Sequence, residues 1–102
     1  MEHKEFAQRL AELRMNKGVS ARDMSLSLGQ SEGYINKIEN GTAFPSMTVF
    51  FYICEYLEIT PAEFFEEENT NPQKLNELIK QLKDMSSSQL DSIISITKEI
   101  KK

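Results

Sequence analysis

Ahead of three apolar-periodic segments a Ser or Thr is followed, three residues later, by an acidic or amide side chain: Ser20 with Asp23, Thr60 with Glu63, and Ser86 with Gln89. This is capping-box spacing, in which the hydroxyl accepts an orphan backbone N–H of the first helical turn. The later side chain reaches back, or favours the positive helix end. Each box opens a helix. Glycines after Lys17, Leu28 and Asn40 close others, because Gly adopts the left-handed backbone with which helices end. No run alternates polar and apolar residues with period two, so no strand is expected. The chain is therefore read as all-α, and the spacing of the punctuation makes its helices short.

Apolar periodicity fills in the elements. Phe6, Leu10 and Leu13 predict a helix over 3–17, closed by Gly18. A second begins at Ser20, carries Met24, Leu26 and Leu28, and stops at Gly29. A third covers about 31–39, with Ser31 as N-cap, Tyr34, Ile35 and Ile38 on its apolar side, and Asn40-Gly41 at its end. Ser46 caps a fourth over 47–57, whose run Val49–Cys54 has no polar stripe, so it is expected to be covered on more than one side. Thr60-Pro61 opens a short fifth helix through Phe65. Residues 66–71 break the composition and read as a linker. Beyond them Leu75, Leu78, Ile79, Leu82 and Met85 mark one amphipathic helix, and Leu90, Ile93, Ile94, Thr97 and Ile100 mark another. The expected organisation is one domain over 1–68 followed by a C-terminal helical hairpin over 69–102.

Composition narrows the function. The 102 residues have room for one core. The longest apolar run is six residues, whereas a bilayer span needs about 20. The first residues, Met1 to Glu5, contain no apolar stretch of the signal-peptide kind, so a soluble, cytoplasmic protein is expected. One Cys and one His supply neither an intrachain disulfide nor a structural zinc site. Cys54 is read as a small buried hydrophobe and His3 as a solvated end residue. There is no Gly-rich phosphate loop, no nucleophile with a His partner beyond His3 and no metal-ligand cluster. An enzyme, a cofactor and a small-molecule ligand are accordingly not expected.

The net charge of −4 argues at first sight against a polyanionic partner. Counting by segment removes the objection. Residues 1–41 hold six cations and six anions, residues 42–68 hold six glutamates and no cation, and residues 69–102 carry a net +2. The acid is concentrated in the fourth and fifth helices and the stretch after them, leaving the front of the chain neutral.

Two short helices joined by a tight glycine-containing turn have the outline of a helix-turn-helix. The residues Val19-Ser20, Met24-Ser25, Leu28-Gly29, Tyr34-Ile35-Asn36-Lys37-Ile38-Glu39-Asn40-Gly41 and Pro45-Ser46 make the likeness specific. Over about residues 3–65 the chain resembles the Cro/CI-type (XRE) helix-turn-helix family. That motif places a Leu-Ala pair in the second helix, Leu-Gly before the turn, and Ile-Glu-x-Gly then Pro-Ser after the third. The resemblance implies a five-helix lambda-repressor-like domain that binds double-stranded DNA.

It also implies roles for individual positions. Arg14 and Glu39 fall where the family pairs the first helix with the end of the third. Glu32, Gly33 and Asn36 fall where base edges are read, with Ser31, Tyr34 and Lys37 beside them. Asn can bond adenine bidentately and Glu can accept from cytosine N4. Ser20 and Arg22 flank the position that usually contacts a phosphate, which here is Ala21. Asn40 to Thr42 fall where backbone N–H groups meet phosphate. The departures are Ala21, Gly33, Ser25 in place of the motif's alanine, and a loop over 42–44 without a basic residue. Phosphate contacts would then rest on Arg9, Arg14, Lys17, Arg22 and Lys37, and modest affinity is the expectation.

The two C-terminal helices are too few to form a core of their own. They are expected to build a homodimer through Leu75, Leu78, Ile79, Leu82, Leu90, Ile93, Ile94 and Ile100, helped by Phe51, Tyr52 and Tyr56 of the fourth helix. The reading is a transcriptional repressor. Its alternatives are an antitoxin-like or accessory module whose C-terminal helices hold a different polypeptide, and a helix-turn-helix that has lost DNA binding.

Overall fold

The computed structural model describes residues 1–102, all helix and connecting turns. In chain order the helices are α1 (His3–Lys17), α2 (Ala21–Ser27), α3 (Tyr34–Glu39), α4 (Met47–Leu57), α5 (Pro61–Phe64), α6 (Pro72–Leu82) and α7 (Ser87–Ile100). Thr60–Glu63 and Ser86–Gln89 close as reciprocal capping boxes, while Ser20 and Ser46 each accept one backbone N–H, from Asp23 and Val49. Gly18 takes φ 80° to end α1. Glu58 takes φ 59° to end α4, a left-handed conformation that an L side chain adopts at some cost.

One expected start is displaced. The third helix begins at Tyr34, three residues after the anticipated N-cap, and Ser31 contributes its carbonyl to Tyr34 N rather than a side-chain cap. The residue in the capping position is Gly33, which has no side chain to offer.

The core draws on all five leading helices: Leu10 and Leu13 of α1, Met24 of α2, Ile35 and Ile38 of α3, Ile53, Cys54 and Leu57 of α4, and Phe64 of α5. Phe6, Phe50 and Phe64 interlock, with ring centroids of Phe64 4.8 Å from Phe6 and 5.2 Å from Phe50. Cys54 is buried among them, and desolvation pushes its thiol up to about 11, in keeping with a packing role. The apolar run of α4 is covered on one side only, since Phe51 and Tyr52 remain half exposed. His3 is not simply solvated. Its ring stacks on Phe44 at 3.8 Å and closes the end of the aromatic cluster.

Arg9 corrects a second expectation. Its side chain is 4% exposed, and its guanidinium donates to the carbonyls of Phe64 (2.6 Å), Glu63 (2.7 Å) and Glu66 (2.9 Å) and pairs with Glu12 (2.6 Å). It thus satisfies the orphan carbonyls at the end of the four-residue α5 and is closed to a phosphate.

The chain then leaves the body under restraint. Asn16 Nδ2 donates to Thr70 O (2.7 Å), Gln73 Nε2 to Leu13 O (3.2 Å) and Asn76 Nδ2 to Glu63 Oε2 (3.0 Å), and Pro72 is buried. Past this anchorage burial falls away. Leu75, Leu78 and Ile79 are about half exposed, Leu82, Leu90 and Ile93 half buried, and no residue of α7 is buried. The radius of gyration is 16.6 Å, where a compact chain of this length would have roughly 13 Å. The molecule is elongated, 50 × 26 × 21 Å, because the C-terminal helices are not folded into the body.

Candidate nucleic-acid interface

Helices α2 and α3 are joined by a turn in which Gly29 takes φ 73°. Their mutual position is set from inside by one hydroxyl. Ser25 is fully buried, its Oγ donating to Ala21 O (2.7 Å) and accepting from Ile35 N (2.9 Å). Ile35 N is one of the first N–H groups of α3, which lack partners within their own helix. Gly33 cannot cap it, so a side chain from the neighbouring helix does. In the sequence, Ser25 stood out only as a departure from the motif's alanine. Its function needed the tertiary partner to be seen.

The other end of α3 is fixed by Arg14 and Glu39. Arg14 Nε and Nη2 donate to the two Glu39 oxygens at 2.7 and 3.0 Å, and Nη1 donates to Val19 O at 2.8 Å. Both side chains are largely buried, at 17% and 11% exposed. The bonds to Glu39 hold the Arg14 guanidinium above its ordinary value. Such a bidentate pair orients as well as attracts. With Ile35 and Ile38 buried beneath it, α3 is clamped at its start, middle and end.

What this clamp presents to solvent is polar. Ser20, Arg22, Ser31, Glu32, Asn36, Lys37, Asn40 and Thr42 are exposed, while Gly33 and Tyr34 are half buried. Burial raises the Tyr34 phenol, which therefore stays protonated at neutral pH. The Asn36 side chain makes no hydrogen bond within the chain, and its exposed amide stands in the middle of α3. Arg22 Nε and Glu32 Oε2 pair across the turn at 3.2 Å, each side chain about 70% exposed. In the turn after α3 the backbone N–H groups of Asn40, Gly41 and Thr42 are bonded to Asn36 O, Ile38 O and Lys37 O, and the Thr42 hydroxyl also donates to Lys37 O. Those N–H groups are used inside the turn, and the outward chemistry there belongs to side chains.

Of the five cations anticipated for phosphate, four have partners within the chain. Arg9 is buried, Arg14 serves Glu39, Arg22 pairs with Glu32, and the Lys17 ammonium sits 4.9 Å from the Tyr56 ring centroid. Lys37 is exposed and unpaired. The structure adds Lys4, which with Gln8, Asn40 and Gly41 lines a shallow depression beside the end of α3. Lys4 and Asn40 are far apart in the sequence, so only the packing of α1 on α3 reveals it. The cleft lined by Glu66, Glu67 and Glu68 takes its remaining walls from Phe65, Asn69 and Leu75, and no residue of α2 or α3 contributes to it.

A helix-turn-helix domain family model matches residues 7–70, which is more than half of the chain. Among solved structures, the restriction-modification controller protein C.AhdI from Aeromonas hydrophila is similar, with 32% identity and a TM-score of 0.58 over 62% of this chain and 91% of that one. No curated protein matches the chain. No helix is long and apolar enough to cross a membrane. With α2, α3 and the Arg14–Glu39 clamp arranged as described, the chain belongs to the XRE-like helix-turn-helix family of DNA-binding transcription regulators.

Proposed function

We propose that the protein is a sequence-specific transcriptional repressor that binds double-stranded DNA as a homodimer, with α3 entering the major groove. The observation that carries the reading is the exposed, unbonded amide of Asn36 on a helix held rigid at both ends. A fixed Asn can bond adenine N6 and N7 together, and Glu32, once released from Arg22, can accept from cytosine N4. Lys37, in the last turn of α3, and Lys4, beside its end, meet phosphate, and Ser20, Ser31, Tyr34, Asn40 and Thr42 place polar groups along the same backbone path. Gly33 reads no base but lets the groove wall approach closely.

The clamp residues Arg14 and Glu39 keep the recognition helix in register and stay clear of the DNA. Repression follows from occupancy, since a protein seated across a promoter excludes others from it. Pairing of two copies through α6 and α7, with Phe51, Tyr52 and Tyr56 of α4 at the margin, sets two α3 helices on half-sites about 34 Å apart. Residues 69–102 are then the dimerisation element and residues 1–68 the reading domain. The C.AhdI likeness supports a regulator of this type without fixing the genes concerned.

An electrophoretic shift titration on the chain's own promoter region tests the reading. Retardation that weakens as salt rises is expected, because each neutralised phosphate contributes about 0.9 to the log–log slope. No retardation at low salt, or binding indifferent to salt, would refute it. A second polypeptide held stoichiometrically on α6–α7 would favour the antitoxin-like alternative.

A further inference from the structure

The C-terminal helices carry two complements within one chain. On α6, Leu75, Leu78 and Ile79 are 42–50% exposed, and on α7, Ile94 and Ile100, on one face with Leu90 and Ile93, are 49% and 75% exposed. The tip of α7 bears Lys98, Lys101 and Lys102, whose one ion pair is Lys102 with Glu99 on the same turn. The N-terminal end of α6 adjoins Glu66, Glu67 and Glu68, which line a cleft with Phe65 and Leu75 and make no ion pair. Apolar stripe and basic tip belong to one helix; apolar stripe and acidic rim belong to the other. Neither is satisfied within its own chain, and the large radius of gyration records the same fact.

The geometry points to an exchanged interface, in which α7 of each copy lies antiparallel along α6 of a second copy and sets its lysine tip on that copy's Glu66–Glu68 rim. The inference rests on the homodimer proposed above and specifies which surfaces meet. Lengths agree with it. At about 1.5 Å per residue the 14-residue α7 spans roughly 21 Å and the 11-residue α6 roughly 16 Å. A helix starting level with the partner's Leu82 therefore ends beyond its Pro72, where the glutamates stand. A two-fold axis repeats the contact, so each stripe and each charge cluster is used once in each direction. The charge complementarity fixes the antiparallel sense, since a parallel arrangement would leave the lysine tip at the far end from the acid.

Sedimentation equilibrium with charge-reversed chains tests this. The triple variants Lys98→Glu/Lys101→Glu/Lys102→Glu and Glu66→Lys/Glu67→Lys/Glu68→Lys alter exposed side chains only, and circular dichroism should show both fully helical. Each alone is expected to dimerise at least tenfold more weakly than the native chain at low salt. Their equimolar mixture is expected to regain native-like dimerisation, because in the mixed pair both contacts again join opposite charges. Two reversed variants that each dimerise as well as the native chain would overturn the exchanged register and leave the homodimer standing. A mixture no tighter than its parts would do the same, placing the charge pairing within each chain. A native chain that stays monomeric at high micromolar concentration would overturn both.

Discussion

Replacing Arg9 by Met keeps the aliphatic stem in its slot and deletes the guanidinium, along with three bonds to the carbonyls of Glu63, Phe64 and Glu66. A hydrogen bond to a charged donor is worth about 1.5–3 kcal/mol net, so the three together set an upper limit near 9 kcal/mol. The true loss is smaller. The Glu63 carbonyl also accepts from Glu66 N, and carbonyls near the surface regain water once the arginine is gone. The Phe64 carbonyl, whose bond to Arg9 is buried, keeps no partner. One stranded acceptor at about 1–3 kcal/mol, plus a partial loss at the other two, gives about 3 kcal/mol. That is a large part of the 5–15 kcal/mol typical of a whole domain, and at 4–8 °C per kcal/mol it lowers the melting temperature by about 12–24 °C. Urea unfolding of native and Arg9→Met proteins measures it. A loss below about 1 kcal/mol would refute the assignment. A second readout separates the capping role from the phosphate role that the sequence suggested. Below its melting point the variant should keep the native salt dependence of DNA binding, whereas loss of a phosphate contact lowers the log–log slope by about 0.9.

Three further outcomes are expected. Ser25→Ala should cost about 1–2 kcal/mol in urea unfolding, since the gain in helix propensity falls short of a buried Ile35 N–H left without an acceptor; an unchanged midpoint would remove Ser25 from the α2–α3 junction. Asn36→Ala should leave the melting temperature in place and weaken binding to the selected operator by about 1–3 kcal/mol while sparing non-specific binding, and equal losses on both would refute base reading. Glu63 has its folded pKa lowered, first by the bond from the Thr60 backbone N–H and also by Asn76 and the Thr60 hydroxyl. A depressed carboxylate stabilises the fold above its unfolded value, near 4.3, and loses that contribution as pH falls through the lower folded value. Glu63→Gln should therefore destabilise at pH 7 and flatten the acid side of the stability profile below about pH 4; an acid limb as steep as the native one would refute the assignment.

The helices were legible because their signals are local. A serine and the residue three positions on specify a cap whatever surrounds them, and four N-terminal caps, at Ser20, Ser46, Thr60 and Ser86, stand where the sequence places them. Where the local signal was weak, at Ser31 and Gly33, the expected start of α3 was three residues early. The cations were the least legible of all. Arg9 and Arg14 look alike in sequence, each on α1 among apolar neighbours, yet one ends in three carbonyls some 55 residues away and the other in a glutamate 25 residues away. A long flexible side chain has no preferred partner until the fold supplies one, so neither its charge nor its spacing announced its use. Lys4 was missed for the same reason in reverse, since it gained a place beside Asn40 and Gly41 from packing alone.

These assignments change what the acidity of the chain means. The neutral front segment had suggested six cations available to offset six anions, but Arg9, Arg14, Lys17 and Arg22 are occupied within the fold, leaving Lys4 and Lys37 on the reading side. Two phosphate contacts for each copy give a monomer a log–log salt slope of only about 2. Two copies double it, and release of Arg22 from Glu32 on the DNA would add a third cation to each. On the proposed homodimer, specific binding at physiological salt then depends on pairing, and the acidic α4–α5 side disfavours a copy that docks in the wrong orientation. It follows that a variant impaired in pairing should bind the operator more weakly at every salt concentration and with about half the native log–log slope, because half of the phosphate contacts are gone. Lys37→Ala, which removes one contact from each copy of a pair, should also lower the slope but lose less affinity, since the pair still reaches both half-sites. A pairing-defective chain that kept the native slope would mean that the backbone contacts do not scale with the number of copies on the DNA.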